Sequence, residues 1–209
     1  MKRIIPVLLL LLVALPGPAH SSEPMDAVRG PIDEVINTLK DPQYQGDAQK
    51  EVQREKIWKI IRELFDFKKI SSLALGNYRK KFSPQELKEF TDHFSRLLED
   101  TYLDKIQAEY RNEKVIYLSQ KIGSGKKADK ALVKTKITRE SVEIPVNYKM
   151  WLNNGIWRVY DVKVEGVSLV KNYRNQFQKI LLNNPPAHLI EKVRKKVEKR
   201  KEKKADADK

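Results

Sequence analysis

Apolar residues recur three or four positions apart through the first part of the chain. One such stripe covers residues 28–39 and ends at Asp41-Pro42. A second covers residues 57–65, and a third, shorter one covers residues 70–75 and stops at Gly76. This period places apolar side chains on one face of an α-helix, so the pattern predicts three helices.

A capping box opens a fourth and longer helix. Ser83 and Glu86 stand three positions apart, with Pro84 at the first helical position, which is a typical helix start. Apolar and aromatic residues then follow at helical spacing: Leu87, Phe90, Phe94, Leu97, Leu98, Tyr102, Ile106 and Tyr110. The spacing predicts one long amphipathic helix.

Near residue 112 the apolar period changes from 3.6 to 2, which is typical of strands. Strands are predicted over residues 115–121, 131–138, 142–150 and 156–164. Asn153-Asn154-Gly155 supplies a hairpin turn between the last two. Helical spacing returns after Gly166. The order of elements predicts an α+β fold, with N-terminal and C-terminal helices around a four-stranded antiparallel sheet.

Residues 1–21 have the anatomy of a secretory signal peptide. Met1-Lys2-Arg3 is basic, residues 4–15 are almost wholly apolar, and Ala19-His20-Ser21 places small residues at a cleavage site. The apolar run is shorter than the roughly 20 residues of a transmembrane helix. We therefore expect an exported protein with a single domain at residues 22–190.

The chain has no cysteine and a formal net charge of +14. Ten Lys or Arg residues against four acidic ones fall within residues 192–209, and residues 191–209 are expected to form a basic, disordered tail. An excess of positive charge predicts anionic partners, which outside the cytoplasm are membrane surfaces more often than nucleic acid. We expect transient membrane contact and no nucleic-acid binding.

Catalytic chemistry has little support in the sequence. His93 and His188 lie on different predicted helices, and no spacing typical of a metal or cofactor site occurs. Asp66 and Asp161 are carboxylates in apolar surroundings that suit a general base. For Asp161 the favoured interpretation is a structural acceptor of a hydrogen bond from a neighbouring segment. No enzyme activity, cofactor or metal is predicted.

Three motifs resemble one known family. They are Leu75-Gly76 followed by Tyr78-Arg79, the aromatic helix that carries Phe90, Phe94 and Thr101-Tyr102, and the stretch over residues 157–170. The last reads Trp-Arg-Val-Tyr-Asp-Val-Lys-Val-Glu-Gly-Val-Ser-Leu-Val and is the most specific of the three. Together they resemble the MlaC family, the toluene-tolerance family of periplasmic phospholipid-binding proteins, over residues 28–190.

The resemblance implies a periplasmic carrier that moves phospholipid between an inner-membrane ABC transporter with an MCE-domain ring and an outer-membrane lipoprotein complex. This transport would maintain the lipid asymmetry of the outer membrane. The implied fold is a curved sheet wrapped by helices, similar to the nuclear-transport-factor-like cone, with the acyl chains in an internal apolar cavity.

Sixteen residues are expected to line that cavity. On the helices they are Leu75, Tyr78, Phe90, Phe94, Leu97, Leu98, Tyr102, Leu169, Val170 and Tyr173. On the strands and the corner after Gly166 they are Val133, Val146, Tyr148, Trp157, Val159 and Val167. The corner is expected to form the mouth or wall of the cavity, and Arg79, Lys80, Lys163 and Arg174 are candidates for headgroup contacts.

Two other functions remain open from the sequence. One is a periplasmic adaptor whose core is filled and carries no lipid. The other is a small lipid-processing enzyme, which the shortage of catalytic groups disfavours.

Overall fold

The computed structural model describes residues 23–44 and 46–207. The predicted signal peptide lies outside them. The helices are α1 (Pro24–Lys40), α2 (Lys50–Leu64), α3 (Phe67–Leu75), α4 (Pro84–Glu109), α5 (Leu169–Leu181) and α6 (Pro186–Ala207). The strands are β1 (Lys114–Ile122), β2 (Lys130–Arg139), β3 (Val142–Asn153), β4 (Ile156–Val164) and β5 (Val167–Ser168). The α+β prediction is confirmed.

The strands form one open antiparallel sheet in the order β1-β2-β3-β4-β5. Four strands were predicted, and the fifth is the two-residue β5, which pairs with the end of β4. Glu165 and Gly166 connect them with φ values of 50° and 81°. Positive φ at both central residues is typical of a type I′ two-residue hairpin turn, so the predicted strand-to-helix corner begins with a tight hairpin.

Three helix starts follow from local sequence. The predicted capping box of α4 is present: the Ser83 side chain accepts from the Glu86 N–H, and the Glu86 carboxylate accepts from the Ser83 N–H. Asp66 caps α3 by accepting from the Lys69 N–H, and Ser168 caps α5 by accepting from the Lys171 N–H. These bonds satisfy donors that a helix start leaves free.

The basic C-terminal segment differs from the expected disordered tail. Helix α6 continues to Ala207, because its apolar residues Val193 and Val197 are buried in the same cluster as those of α4 and α5. Arg200 also donates a 3.0 Å hydrogen bond to the Asp100 carbonyl oxygen. Lys and Glu residues form helix readily, so this tertiary contact is enough to order the segment.

The two faces of the sheet differ in character. We call the inner face the side that carries Val133, Val146, Tyr148, Met150 and Val159, where Val28 of α1 and Leu64 of α2 cover it. The outer face carries the alternate residues. Strand alternation produces this division, since successive side chains point to opposite sides.

Candidate functional site

An open groove of about 1300 Å³ lies between α2, α3, α4 and the β3–β4 hairpin. Small-molecule pockets usually measure roughly 300–1,000 Å³, so this groove has room for a larger ligand. Tyr44, Trp58, Phe65 and Phe67 are the aromatic residues that line it, and they lie beside charged residues of α2 and α4. A large groove with aromatic and charged walls suits an amphipathic ligand.

The segment Phe65-Asp66-Phe67 runs along the free edge of β4. Phe65 forms an isolated parallel bridge with Val159, and the Asp66 N–H donates a 2.9 Å hydrogen bond to the Val159 carbonyl oxygen. The Asp66 carboxylate accepts from the Lys69 N–H at 2.8 Å and from the Trp151 indole N–H at 3.1 Å. Its acceptor sites therefore serve the α2–α3 connection, which favours a structural role over that of a general base.

Three apolar clusters meet at this segment. The helical cluster is built by α3, α4, α5 and α6. The sheet cluster lies on the inner face under α1, and a third cluster joins α1, α2 and α4 around Ile57 and Trp58. Phe65 packs against the first two clusters and Phe67 against the first and third, with the two rings stacked at 6.1 Å. The groove thus opens onto the point where the clusters join.

The structure divides the predicted lining residues between two of these clusters. Val133, Val146, Tyr148, Trp157 and Val159 belong to the sheet cluster. The helical cluster buries Leu75, Phe90, Phe94, Leu97, Leu98, Val170 and Tyr173, with Tyr78 and Leu169 partly buried against it. Tyr102 is exposed. The predicted set therefore does not form one continuous wall in this conformation.

The aromatic residues of the helical cluster pack closely against each other. Phe94 has its ring centroid 5.4 Å from that of Phe90, 4.8 Å from Tyr173 and 5.1 Å from Phe177. Such edge-to-face and stacked geometries are favourable in protein cores. Tyr173 is itself only 7% exposed, and this burial raises the pKa of its hydroxyl well above the ordinary value.

Tyr148 is buried on the inner face of the sheet. Burial raises the pKa of its hydroxyl to about 12. Neighbouring Thr135 on β2 is also buried and donates its own hydroxyl to the Val146 carbonyl oxygen at 2.9 Å. Polar groups on this face are therefore few, and those present have partners.

The corner after Gly166 is held by Asp161. This buried carboxylate accepts from the Ser168 hydroxyl at 2.8 and 2.9 Å and from the Val170 N–H at 3.1 Å, and it pairs with Lys149 at 3.2 Å. The interpretation of Asp161 as a structural acceptor is confirmed. Val167, however, is 65% exposed, so the structure does not support it as part of an apolar wall.

The four candidate headgroup cations do not converge. Arg79 and Lys80 are exposed on the turn that links α3 to α4. Arg174 lies near that turn, but its Nε donates to the Leu73 carbonyl oxygen at 2.8 Å and so closes the end of α3. Lys163 lies on β4, on the outer face of the sheet.

Most charged residues of the groove instead come from α2 and α4, with Asp66, Lys68 and Arg158 beside them. Buried Arg54 bridges the two helices: it binds Asp100 at 2.8 Å, Glu99 at 3.4 Å, and also Asp104. Burial raises the pKa of the groove-lining Glu99 above its ordinary 4.5, and Arg54 opposes this shift. The sequence reasoning missed this site. The only local signal was an acid flanked by two phenylalanines, Phe65-Asp66-Phe67, between two helical stripes.

Neither a membrane span nor a metal cluster is found in the described part of the chain. Over residues 23–44 and 46–207, every helix is too short or too polar to cross a bilayer. The same residues contain no group of three His, Asp or Glu side chains placed to hold a metal ion.

Known proteins share this sequence and fold. Residues 30–195 match the family model described as MlaC protein. The toluene tolerance protein ttg2D of Pseudomonas putida is 28% identical over 180 residues, covering 85% of this chain and 82% of that protein. A phospholipid-binding protein from Ralstonia solanacearum, solved in complex with a phospholipid, superposes with a TM-score of 0.74 at 23% identity. That match covers 86% of this chain and 99% of the Ralstonia chain. Since the family model spans most of the sequence, this chain belongs to the MlaC family.

Proposed function

We propose that this protein is a periplasmic phospholipid carrier. It takes up lipid at one membrane complex and delivers it at another, the two being an inner-membrane ABC transporter with an MCE-domain ring and an outer-membrane lipoprotein complex. Membership in the MlaC family and the phospholipid complex of the Ralstonia relative support lipid binding. Both favour a binding and transport protein over an enzyme.

One structural observation carries the proposal. The apolar interior is divided into clusters that meet at Phe65 and Phe67, directly beneath a groove of about 1300 Å³. A filled globular core normally forms one contiguous cluster. Clusters joined through half-buried aromatic residues can separate at that joint without exposing the rest of the core.

The energetics explain why a carrier is required. Each methylene exposed to water costs about 0.8 kcal/mol, so two chains of about 16 carbons cost roughly 25 kcal/mol. Unassisted crossing of an aqueous gap is therefore negligible. A protein that encloses the chains removes most of that cost, provided that it can open and close around them.

We place the acyl chains between the inner sheet face and the helices α1 and α2. In the described conformation Val28 and Leu64 fill this space, so lipid entry requires α1 and α2 to move away from the sheet. The joint at Phe65 and Phe67 then opens towards the groove. In this arrangement the headgroup lies in the groove, near its charged walls, while the sheet-side residues Val133, Val146, Tyr148, Trp157 and Val159 contact the chains.

Native mass spectrometry of the purified protein tests the proposal. The unaltered chain is expected to carry phospholipid. Phe65→Asp places a charge at the joint of the clusters and is expected to reduce the lipid-bound fraction at least tenfold, whereas Phe65→Leu restores it because the site stays apolar. Val167→Asp is the matched control: it adds the same charge at an exposed position and is expected to keep its lipid.

Three outcomes would overturn the proposal. A protein that is empty as purified and takes up no lipid from vesicles would indicate an adaptor with a filled core. Release of lyso-lipid or fatty acid over time would indicate an enzyme. If the Phe65→Asp variant is folded, as checked by circular dichroism, and still retains lipid, the joint is not part of the binding site.

A further inference from the structure

The outer face of the sheet carries rows of positively charged side chains. Strand register places side chains in rows that cross the sheet, since paired residues of antiparallel strands point to the same side. These rows bring together eight cations: Lys114, Lys121, Lys130, Lys134, Lys136, Lys149, Arg158 and Lys163. The carboxylates in the same rows are Glu143 and Asp161.

Those two carboxylates neutralise only some of these positive charges. Glu143 binds Lys136 at 2.6 Å, and Asp161 binds Lys149 at 3.2 Å. Arg158 donates to the Glu63 carbonyl oxygen, which leaves its charge uncompensated. Lys114, Lys121 and Lys134 are exposed, and within the described residues none of the three has a salt bridge. The outer face therefore carries a strong net positive charge.

Apolar side chains lie among these lysines on the edge strand. Ile116 shares a row with Lys136 and is 40% exposed. Leu118, at the bulge of β1, is 54% exposed. Helices α3 and α5 reach this face only near β4, through Trp151 and Asp161. Over β1 and β2 the cationic rows and the two aliphatic side chains are open to solvent.

We propose that the outer sheet face is a docking surface for an anionic phospholipid bilayer. Each lysine close to a negatively charged membrane contributes about 1 kcal/mol of attraction, and several exposed lysines on one face act together. Ile116 projects from this surface and is placed to enter the interfacial region, with exposed Leu118 close to it on the same edge strand. The charge pattern and the exposed aliphatic residues thus match the two components of a bilayer surface.

The composition of the face favours a membrane over an acidic protein. Protein interfaces are enriched in Arg, Tyr, Trp and Phe and depleted in Lys. The open part of the outer face shows the reverse, with Lys114, Lys121, Lys130 and Lys134 as its exposed charges. Lysine is a strongly hydrated point charge on a flexible stem, which suits a fluid layer of headgroups better than a fixed set of carboxylates.

The docking surface is continuous with the groove. Arg158 belongs to the cationic rows and also lines the groove beside the β3–β4 hairpin. A protein lying on its outer face therefore holds the groove rim at the bilayer edge. This inference rests on the proposed function for its purpose, but the docking itself is measurable with or without cargo.

Vesicle co-sedimentation of the full chain tests the docking. The vesicles contain phosphatidylethanolamine and phosphatidylglycerol, with phosphatidylcholine vesicles for comparison. Lys114→Gln, Lys121→Gln and Lys134→Gln are combined in one variant. The control variant combines Lys105→Gln, Lys179→Gln and Lys192→Gln, which removes the same charge from exposed positions on helices. Lipid cargo is measured on each protein by native mass spectrometry.

We expect the unaltered protein to bind the anionic vesicles at low salt and to release them at about 0.5 M salt, where charges are screened. The sheet variant should bind about a hundredfold more weakly, and the control variant less than about threefold more weakly. Equal weakening in the two variants, or equal binding to both kinds of vesicle, overturns the docking surface. If the sheet variant still carries lipid, its loss of vesicle binding is independent of the proposed carrier function.

Discussion

The helical cluster and the sheet cluster are both apolar, yet they are filled differently. The helical cluster is built around four aromatic rings, Phe90, Phe94, Tyr173 and Phe177, in mutual contact. In the sheet cluster, as many hydrophobic residues are partly buried as are fully buried. In the helical cluster the fully buried residues outnumber the partly buried ones by more than two to one. The first is packed as a closed core, and in the proposed function the second is the surface from which α1 and α2 move away.

This difference changes the site that the sequence suggested. Residues such as Phe90 and Phe94 were expected to contact lipid, but their side chains pack against α5 inside the helical cluster. The sheet-side residues face Val28 of α1 and Leu64 of α2. We therefore expect different substitutions to affect stability and lipid binding. The helical cluster stabilises the fold, and the sheet cluster exchanges its contacts with the covering helices for contacts with lipid.

The largest expected effect is that of Phe94→Ala. Removing a fully buried ring that touches three others should lower the free energy of unfolding by about 3–5 kcal/mol. Urea denaturation monitored by circular dichroism measures this loss. The folded fraction should still carry lipid, because the helical cluster is not the lipid wall. Loss of lipid at unchanged stability would reverse the assignment of the two clusters.

Asp161→Asn is expected to weaken the connection between the clusters. The substitution keeps the shape of the side chain but removes the charge that pairs with Lys149 and accepts from Ser168 and Val170. We expect a loss of about 2 kcal/mol in unfolding free energy, since charged hydrogen bonds exceed neutral ones. Leu182→Ala, at a 69% exposed position, is the control and should change stability by less than about 0.5 kcal/mol. An equal effect of both variants would show that the corner is not held by Asp161.

Ile137→Ala should have the smallest effect on stability and a clear effect on lipid. Ile137 is partly buried on the inner face, opposite Ile144 of β3, so its truncation should cost only about 1 kcal/mol. The inner face then presents less apolar surface to the acyl chains. Native mass spectrometry is expected to show a reduced lipid-bound fraction. A stability loss as large as that of Phe94→Ala, with lipid unchanged, would make the sheet cluster an ordinary core.

Local sequence signals predicted most of the elements. The capping box at Ser83 and Glu86, the period change near residue 112 and the Asn154-Gly155 turn all mark real boundaries. The two-residue β5 was missed because a strand that short has no period of its own. The extent of α6 was missed because its charged composition is compatible with both disorder and helix.

The site was harder to predict than the fold. Alternation and helical spacing identify which residues are buried, and twelve of the sixteen predicted lining residues are. They do not identify which residues each buried side chain contacts. The prediction therefore combined core residues and cavity-lining residues in one set. The motif over residues 157–170 did point to a specific structure, the Asp161 connection, because that bond joins residues close in sequence.

By itself, the sequence determined the α+β order, the amphipathic faces, the charge and the membership in a family, all of which depend on local spacing or residue identity. Only the tertiary structure decided that the apolar interior is divided, that Phe65 and Phe67 form its joint, and that eight cations share one face of the sheet. These features depend on strand register and on contacts between residues far apart in the chain. Contacts between residues far apart in the chain form through the packing of complementary surfaces, which local patterns alone do not specify.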